Sequence, residues 1–164
     1  MIGMIIVISI CLLYLWMIHP QNLNDEKWEG FRHHYYAHRG LHDSQSNIPE
    51  NSMAAFLKAV ENGYGIELDV QLTKDGTPVI FHDAKTGRLL RDEKGAVVNK
   101  ILTELTLEEL QRYHLLTSKE QVPLFEDVLK LVDGKVPLIV ELKVANSSTD
   151  INVLCSKADQ LLKK

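Results

Sequence analysis

Hydrophobic residues change their spacing along the chain, and each spacing predicts a secondary-structure element. Short apolar runs with β-branched or aromatic residues predict four strands, over residues 35–38, 66–70, 79–82 and 138–142. Apolar residues at helical spacing predict four helices, over residues 52–62, 106–114, 125–132 and 151–162. Neither pattern is found over residues 84–100, where we predict a loop or a small hairpin.

Residue types at the ends of these segments support the predicted helices. Asn51 or Ser52 is expected to cap the first helix, and Gly63 to end it. Thr106 and Glu109 have the spacing of a capping box, in which each side chain bonds to the backbone of the other residue. The second helix is therefore expected to begin at this pair.

Strands that alternate with helices predict an α/β fold, in which a sheet of parallel strands is covered by helices. We expect the four strands to be neighbours, with their C-terminal ends on one side of the sheet. Ligand-binding and catalytic groups of such folds gather on that side. Ionisable residues are found toward this end of each predicted strand: His38, Glu67, Asp69, His82, Glu141 and Lys143.

Three of these residues are carboxylates for which side-chain alternation predicts a shared face. Because successive side chains of a strand point to opposite faces, Glu67 and Asp69 share one face. Glu141 and Lys143 likewise share a face of the last strand. Converging carboxylates repel one another unless a cation neutralises them, and all-oxygen ligands favour Mg²⁺ or Ca²⁺ over zinc. A solvated strand face is the alternative for Glu67 and Asp69 considered alone.

The N-terminal segment differs in character, because residues 2–18 contain no charge. As a helix, this run would span roughly 25 Å, close to the hydrocarbon core of about 30 Å in a bilayer. We interpret residues 1–19 as a transmembrane helix that anchors the protein in a membrane, and the polar residues 20–34 as a linker. A signal peptide and a buried helix are the alternatives, although the first usually has a basic start and a small-residue cleavage site, and the second a polar face.

Composition and charge exclude some classes of function. With 45% hydrophobic and 24% charged residues, the chain has the composition of a globular protein. A net charge of -4 without a basic stripe argues against binding to nucleic acid. Cys11 and Cys155 are far apart and have no Cys-x-x-Cys or histidine-spaced partner, so neither a disulfide framework nor a zinc site is predicted.

Six short motifs together resemble the successive signatures of the glycerophosphodiester phosphodiesterases. They are HRG at 38–40, PENS at 49–52, ELD at 67–69, TKDG at 73–76, HD at 82–83 and ELK at 141–143. The resemblance implies a TIM barrel over residues 35–164 and the hydrolysis of glycerophosphodiesters to an alcohol and glycerol 3-phosphate. A related phosphodiesterase of the lysophospholipase D or phospholipase C type is the alternative.

The same resemblance implies a role for each ionisable residue. The expected roles are metal ligands for Glu67, Asp69 and Glu141, acid and base for His38 and His82, and phosphate contacts for Arg39 and Lys143. The expected cofactor is one divalent ion, Ca²⁺ or Mg²⁺. These side chains suit the reaction, because cations stabilise developing charge on phosphate oxygens and imidazole exchanges protons near neutral pH. Taken singly, each has a simpler alternative as a packing residue, a surface ion pair or a solvated strand end.

The length of the α/β segment predicts part of a barrel. A TIM barrel has eight strands and typically about 250 residues, whereas residues 35–164 hold four predicted strands. We therefore interpret them as the N-terminal half of a partial TIM (β/α)8 barrel, with about four parallel β/α units. Activity is then expected only when the barrel is completed, by further sequence or by a complementing chain. A truncated, non-catalytic fragment is the alternative.

Overall fold

The computed structural model describes residues 2–19, 25–144 and 150–163, which fall into an N-terminal unit, residues 1–33, and an α/β unit, residues 34–164. The N-terminal unit contains helices α1 (Ile2–Met17) and α2 (Asp25–Arg32). Helix α2 lies within the segment interpreted as a linker, of which residues 20–24 are outside the described residues.

The prediction of a transmembrane anchor over residues 1–19 is wrong. Helix α1 is uncharged but has only 16 residues, which corresponds to about 24 Å against a hydrocarbon core of about 30 Å. The two residues after α1, Ile18 and His19, lie in a turn and do not lengthen the helix. Across residues 2–19, 25–144 and 150–163, no helix combines the length and the apolar character needed to cross a membrane.

The described residues of the α/β unit form six strands and four helices. In chain order they are β1 (Tyr36–His38), α3 (Met53–Glu61), β2 (Gly65–Leu72), β3 (Pro78–Ile80), β4 (Leu90–Arg91), α4 (Leu107–Leu110), β5 (His114–Leu115), α5 (Phe125–Val132), β6 (Leu138–Leu142) and α6 (Ile151–Leu162). Two short 3-10 turns, Thr86–Arg88 and Leu102–Glu104, lie between these elements.

Strand β2 is the centre of a parallel layer. Strands β1 and β6 both pair in parallel with β2, and because both lie opposite Ile66 they occupy its two edges. The register places His38 beside Glu67, and Asp69 beside Glu141. The predicted α/β class with a parallel sheet is therefore found, and the layer is consistent with part of a TIM barrel.

The prediction of four parallel strands is wrong at β3, which pairs antiparallel with β2. The chain reverses through a tight turn, in which the N–H of Thr73 donates to the carbonyl of Thr77 at 3.0 Å and Gly76 has a φ of 76°. A parallel pairing needs a crossover of a dozen or more residues. The few residues between Leu72 and Pro78 allow only a hairpin.

Helices α3, α5 and α6 cover the face of β2 that carries Ile66, Leu68 and Val70. The opposite face of β2 carries Glu67 and Asp69. Helix α3 starts at the predicted Ser52, whose hydroxyl accepts a hydrogen bond from the N–H of Ala55 at 3.1 Å. The predicted capping box of Thr106 and Glu109 also forms, but the helix predicted over residues 106–114 ends at Leu110, and His114 begins strand β5. The core thus sits on one side of the sheet and leaves the acidic face free for chemistry.

A second, smaller core is formed by the part of the chain that runs from β3 to the start of α5. It is formed by apolar side chains of β3, of the β4–β5 pair, of helix α4 and of the connecting segments: Val79, Phe81, Leu89, Leu90, Leu102, Leu105, Leu110, Leu115 and Val122. The region predicted as a loop or small hairpin, residues 84–100, contains β4, which pairs with β5 from outside that region. This small core anchors the loop that carries His82 and Arg88.

Candidate functional site

Three carboxylates lie together on the parallel layer. Glu67 and Asp69 share a face of β2, and Glu141 lies beside Asp69 on β6. One oxygen of each carboxylate falls within 4.8 Å of the others. Asp69 is buried, Glu67 is half-buried and Glu141 is exposed. The structure thus brings together the three residues predicted as metal ligands in a cluster that could hold a metal ion.

Asp69 is the most enclosed member of this cluster, with 1% of its side chain exposed. Its Oδ2 accepts a hydrogen bond from Asn51 Nδ2 at 2.9 Å and lies 3.5 Å from Arg39 Nε. Its Oδ1 lies 3.3 Å from Lys143 Nζ, but accepts no hydrogen bond of good geometry from the described residues. Because a buried carboxylate oxygen is unfavourable without a donor or a cation, Oδ1 is well suited to ligate a metal.

Lys143 follows β6, and its ammonium group forms ion pairs with two of the carboxylates. Its Nζ lies 2.7 Å from Oε1 of Glu141 and 3.3 Å from Oδ1 of Asp69. Burial lowers the pKa of Lys143, but the contacts with Glu141 and Asp69 outweigh it and raise the pKa above its ordinary value. Lys143 is therefore a permanent cation next to the acidic cluster.

The turn after β1 presents Arg39 to the same cluster. Its backbone N–H donates to Oε2 of Glu67 at 3.1 Å, and its guanidinium Nη1 donates to Oε1 of Glu50 at 2.8 Å. The next residue, Gly40, has a φ of 80°, and a Cβ there would lie 2.9 Å from Cβ of Ala55. Glycine is required at this position by both the backbone conformation and the space.

Glu50 lies between two arginines. It accepts hydrogen bonds from Arg39 and from both terminal nitrogens of Arg88. Burial raises the pKa of Glu50, but the hydrogen bonds from Arg88 and Arg39 outweigh burial and lower the pKa to about 2. Glu50 is therefore an anion at neutral pH and holds both guanidinium groups.

His82 follows β3, and Asp83 holds its imidazole ring. Nδ1 of His82 lies 2.7 Å from Oδ1 of Asp83. Burial raises the pKa of Asp83, but contacts with Arg88 and His82 outweigh it and lower the pKa below its ordinary value. An ionised carboxylate can only accept, so Nδ1 carries the proton and Nε2 of the neutral ring is left as a proton acceptor.

Gln71 fixes the backbone around His82. It is the next residue after Asp69 on the acidic face of β2, and it is fully buried. Its Nε2 donates to three successive carbonyl oxygens, those of Phe81 at 2.7 Å, His82 at 3.1 Å and Asp83 at 3.0 Å. The loop that carries His82 is thus bonded directly to the strand that carries the acids.

His38 reaches the cluster from the other edge of β2. It ends β1 beside Glu67, and its Nε2 lies 3.9 Å from Oε2 of Glu67. Its side chain is 69% exposed. The two predicted acid/base residues therefore lie on different kinds of element: His38 ends a parallel strand, and His82 lies on the loop that follows an antiparallel strand.

Several residues that support the site were not assigned a role in it from the sequence. They are Gln71, Asp83 and Arg88, while Asn51 was interpreted mainly as a residue at the start of a helix. The alternation of Glu67 and Asp69 extends to Gln71, which was a usable signal. Arg88 had no comparable signal, because its partners Glu50 and Asp83 come from separate loops.

The model of the glycerophosphoryl diester phosphodiesterase family matches residues 38–164. The chain belongs to this family. A glycerophosphodiester phosphodiesterase of Bacillus altitudinis is 40% identical over 119 residues, covering 68% of this chain and 45% of that protein. A lysophospholipase D of Rattus norvegicus is 33% identical over 162 residues, covering 92% of this chain and 48% of that protein. The chain thus spans about half the length of these curated relatives.

One solved structure with a similar fold is a phosphodiesterase with its product bound. It is a phosphodiesterase of Oleispira antarctica in complex with sn-glycerol-3-phosphate, 25% identical to this chain. The TM-score is 0.64, and the match covers 80% of this chain and 52% of that one. The TIM-barrel interpretation is supported for the matched part of the α/β unit.

Glycerophosphodiester phosphodiesterases depend on a metal, and the residues of this chain fit one. The donors of the cluster are carboxylate oxygens, which are the ligands of hard divalent ions. Among the described residues, none donates a hydrogen bond to the buried Oδ1 of Asp69, and the contacts of the Lys143 ammonium with Asp69 and Glu141 show that these carboxylates attract positive charge. A cation is therefore favoured at the position between these side chains.

Proposed function

We propose that this chain supplies the metal ligands, the acid and base, and the phosphate contacts of a glycerophosphodiester phosphodiesterase. The reaction is the hydrolysis of a glycerophosphodiester to an alcohol and glycerol 3-phosphate. The observation that carries the proposal is the approach of Glu67, Asp69 and Glu141 to within 4.8 Å, beside the cations Arg39 and Lys143. Membership of the family supports it independently.

The two cations would bind the phosphodiester. A phosphodiester carries one negative charge, which repels an attacking nucleophile. Arg39 is held by Glu50 and lies near Asp69, and Lys143 lies near the same aspartate. Both would contact nonbridging oxygens and stabilise the charge that develops as the bond to the alcohol breaks.

The two histidines would transfer protons. Nε2 of His82 is free to accept or donate, because Nδ1 is bonded to Asp83. His38 lies beside Glu67 and is largely exposed. One imidazole would take a proton from the attacking water as its oxygen bonds to phosphorus, and the other would protonate the departing alcohol as its bond to phosphorus breaks.

Glu67, Asp69 and Glu141 would hold one divalent ion, Mg²⁺ or Ca²⁺. When bound, such an ion withdraws electron density from a phosphate oxygen and neutralises part of the developing charge. Oxygen donors from three carboxylates suit both ions. Titration of the chain with each ion, followed by calorimetry, would identify the preferred one.

We further propose that a second set of β/α units completes the barrel around this site. On β6, Ile139 and Glu141 are about half exposed, although they share the face that carries the acids. Further sequence in the same polypeptide or a complementing chain would cover this face. An isolated half site would hold the groups but would neither exclude water nor fix the substrate.

The experiment is an assay with glycerophosphocholine, with glycerol 3-phosphate measured as the product. The chain would be assayed alone and together with the part of the Bacillus altitudinis relative that it does not match. We expect turnover only in the mixture, its loss on addition of EDTA, and a decrease of about 10²- to 10⁴-fold for His38→Ala or His82→Ala. Turnover that survives EDTA would refute the metal role, and no turnover in the mixture would favour a non-catalytic fragment.

A second candidate is lysophospholipase D activity. The relative of this name in Rattus norvegicus matches 92% of the chain, which is more than the bacterial relative matches. The same site would then cleave the head group from a lysophospholipid and leave lysophosphatidic acid. A competition assay with lysophosphatidylcholine and glycerophosphocholine separates the two, since the preferred substrate is consumed first and its phosphate product is distinct.

A further inference from the structure

Arg88 connects two loops that border the candidate site. Its Nη1 and Nη2 each donate to Glu50 at 2.7 Å, one to each carboxylate oxygen. Its Nε donates to Oδ2 of Asp83 at 2.7 Å, and Nη2 also donates to Oδ1 of Asp83 at 3.2 Å. One planar guanidinium group therefore bonds both oxygens of two different carboxylates.

Each of these carboxylates also holds a residue of the proposed machinery. Asp83 accepts from Nδ1 of His82 at 2.7 Å, and Glu50 accepts from Nη1 of Arg39 at 2.8 Å. The result is a continuous series of charged contacts from the imidazole of His82, through Arg88, to the guanidinium of Arg39.

We propose that Arg88 is a positioning residue that fixes the imidazole of His82 and the guanidinium of Arg39 relative to each other. The assignment rests on the proposed function, in which these two groups are the acid/base and the phosphate contact. Arg88 does not touch the reacting atoms and acts through Asp83 and Glu50. Its loss would release both groups at once.

The geometry distinguishes Arg88 from an ordinary surface ion pair. Exposed ion pairs contribute little to stability, because water screens them and long side chains lose freedom. Here Glu50 is 15% and Asp83 is 25% exposed, and the contacts are bidentate, which is the strong form of a charge-assisted hydrogen bond. Lysine carries a compact charge without the planar fork, so it could satisfy only one of the two carboxylates well.

The test reads the tautomer of His82 and the Nε–H of Arg39 by long-range ¹H–¹⁵N NMR on the whole ¹⁵N-labelled chain. Spectra are recorded at a pH about 2 units above the ordinary imidazole pKa of about 6.5. The variants are Arg88→Met, Arg88→Lys and Glu50→Gln. Arg112→Met is the matched control, since the Arg112 side chain pairs, among the described residues, with the exposed Glu108.

In the unmodified chain we expect the Nδ1–H tautomer of His82 to dominate. Arg88→Met should release Asp83, which can then turn away from Nδ1 of His82, and the loss of this charge-assisted hydrogen bond should lower the ratio of Nδ1–H to Nε2–H about tenfold. The same variant should shift the Arg39 Nε–H signal. Arg88→Lys should restore only one of the two signals, the His82 ratio or the Arg39 Nε–H position, to its value in the unmodified chain. Glu50→Gln should alter the His82 ratio although Glu50 does not touch His82. Arg112→Met should change neither signal.

An unchanged His82 ratio in both Arg88→Lys and Glu50→Gln would overturn the proposal, and so would an unchanged ratio in folded Arg88→Met. If Arg88→Met fails to fold, the other two variants still decide the matter. None of these measurements requires turnover. Failure of the assay with an intact tautomer response would count against the proposed function alone, and the reverse result against the role of Arg88 alone.

Discussion

Nδ2 of Asn51 donates a hydrogen bond to Oδ2 of Asp69 over 2.9 Å, and both side chains are buried. Asn51 also has a φ of 52°, in the left-handed region. Asparagine tolerates this conformation better than most residues other than glycine. One residue therefore orients a proposed metal ligand and allows the chain to turn into helix α3.

Two substitutions separate these roles of Asn51. Asn51→Gly removes the side chain that bonds to Asp69 but keeps a residue that adopts a positive φ freely, and it should lower the free energy of unfolding by about 1–2 kcal/mol. Asn51→Ala loses the same hydrogen bond and leaves at this φ a residue that tolerates the left-handed region less well than asparagine or glycine, so it should cost about 1 kcal/mol more. Urea denaturation measures both. Equal stability of the two variants would contradict the role of the backbone, and no loss in either would contradict the hydrogen bond.

Glu50 should make the stability of the protein depend on pH. Its pKa is about 2 in the folded chain against an ordinary value of 4.5, so its contribution is complete above about pH 4.5 and is lost as the pH falls toward 2. Glu50→Gln should lower the free energy of unfolding by about 2 kcal/mol at neutral pH, a value discounted because Arg88 is 46% exposed.

The difference between the chain and Glu50→Gln should shrink as the pH falls through this window. Glu108→Gln is the control, since Glu108 is 84% exposed and pairs with one exposed arginine. Denaturation at a series of pH values decides the question. A difference that stays constant from pH 6 to pH 2 (about the range of the shifted titration) would rule out the ion pairs as its source.

Glu141 offers a test of metal binding with little effect on folding. It is 53% exposed, and its ion pair with Lys143 is therefore worth about 0–1 kcal/mol. Glu141→Gln should weaken binding of Mg²⁺ or Ca²⁺ by at least about tenfold and leave the melting temperature of the metal-free chain nearly unchanged. Calorimetric titration against Glu108→Gln measures the change. Unaltered affinity would remove Glu141 from the ligand set.

Lys143 should act on cations and anions in opposite directions. Its ammonium lies within 3.3 Å of Asp69, where it repels a bound cation and attracts a phosphate. Lys143→Gln should therefore tighten divalent-ion binding by roughly tenfold and weaken binding of glycerol 3-phosphate. Two calorimetric titrations provide the comparison. If both affinities moved in the same direction, the side chain would have only a structural role.

Gln71 should control the order of the His82 loop. Gln71→Met keeps much of the side-chain volume but removes the donor to the carbonyls of Phe81, His82 and Asp83. We expect a loss of about 2–3 kcal/mol in the free energy of unfolding and faster amide hydrogen exchange over the loop. Gln111→Met, at a partly buried glutamine with one carbonyl partner, is the control and should have a smaller effect.

Local patterns predicted the elements well where a single principle decides them. Helices α5 and α6 have the predicted bounds, and the capping box of Thr106 forms as expected. Period-two alternation brought Glu67 and Asp69 to one face, and strand order placed Glu141 beside them. These features depend on neighbours in sequence or on the rule that parallel strands align their ends.

Two incorrect predictions concern segments that are too short for the element assigned to them. The chain between Leu72 and Pro78 is too short for a parallel crossover, which makes β3 antiparallel. The apolar N-terminal run was measured beyond the end of α1 at Met17. The role of Arg88 could not be predicted, since its contacts with Glu50 and Asp83 exist only after the tertiary fold forms.

The hairpin of β2 and β3 also sets an order of assembly. Asp69 and His82 are close in sequence, so bringing them together costs little loop-closure entropy and is expected early in folding. Glu141 arrives from a distant part of the chain, as the last carboxylate to join β2. Metal affinity should therefore appear late in refolding, and a divalent ion should slow unfolding without speeding the first steps of folding.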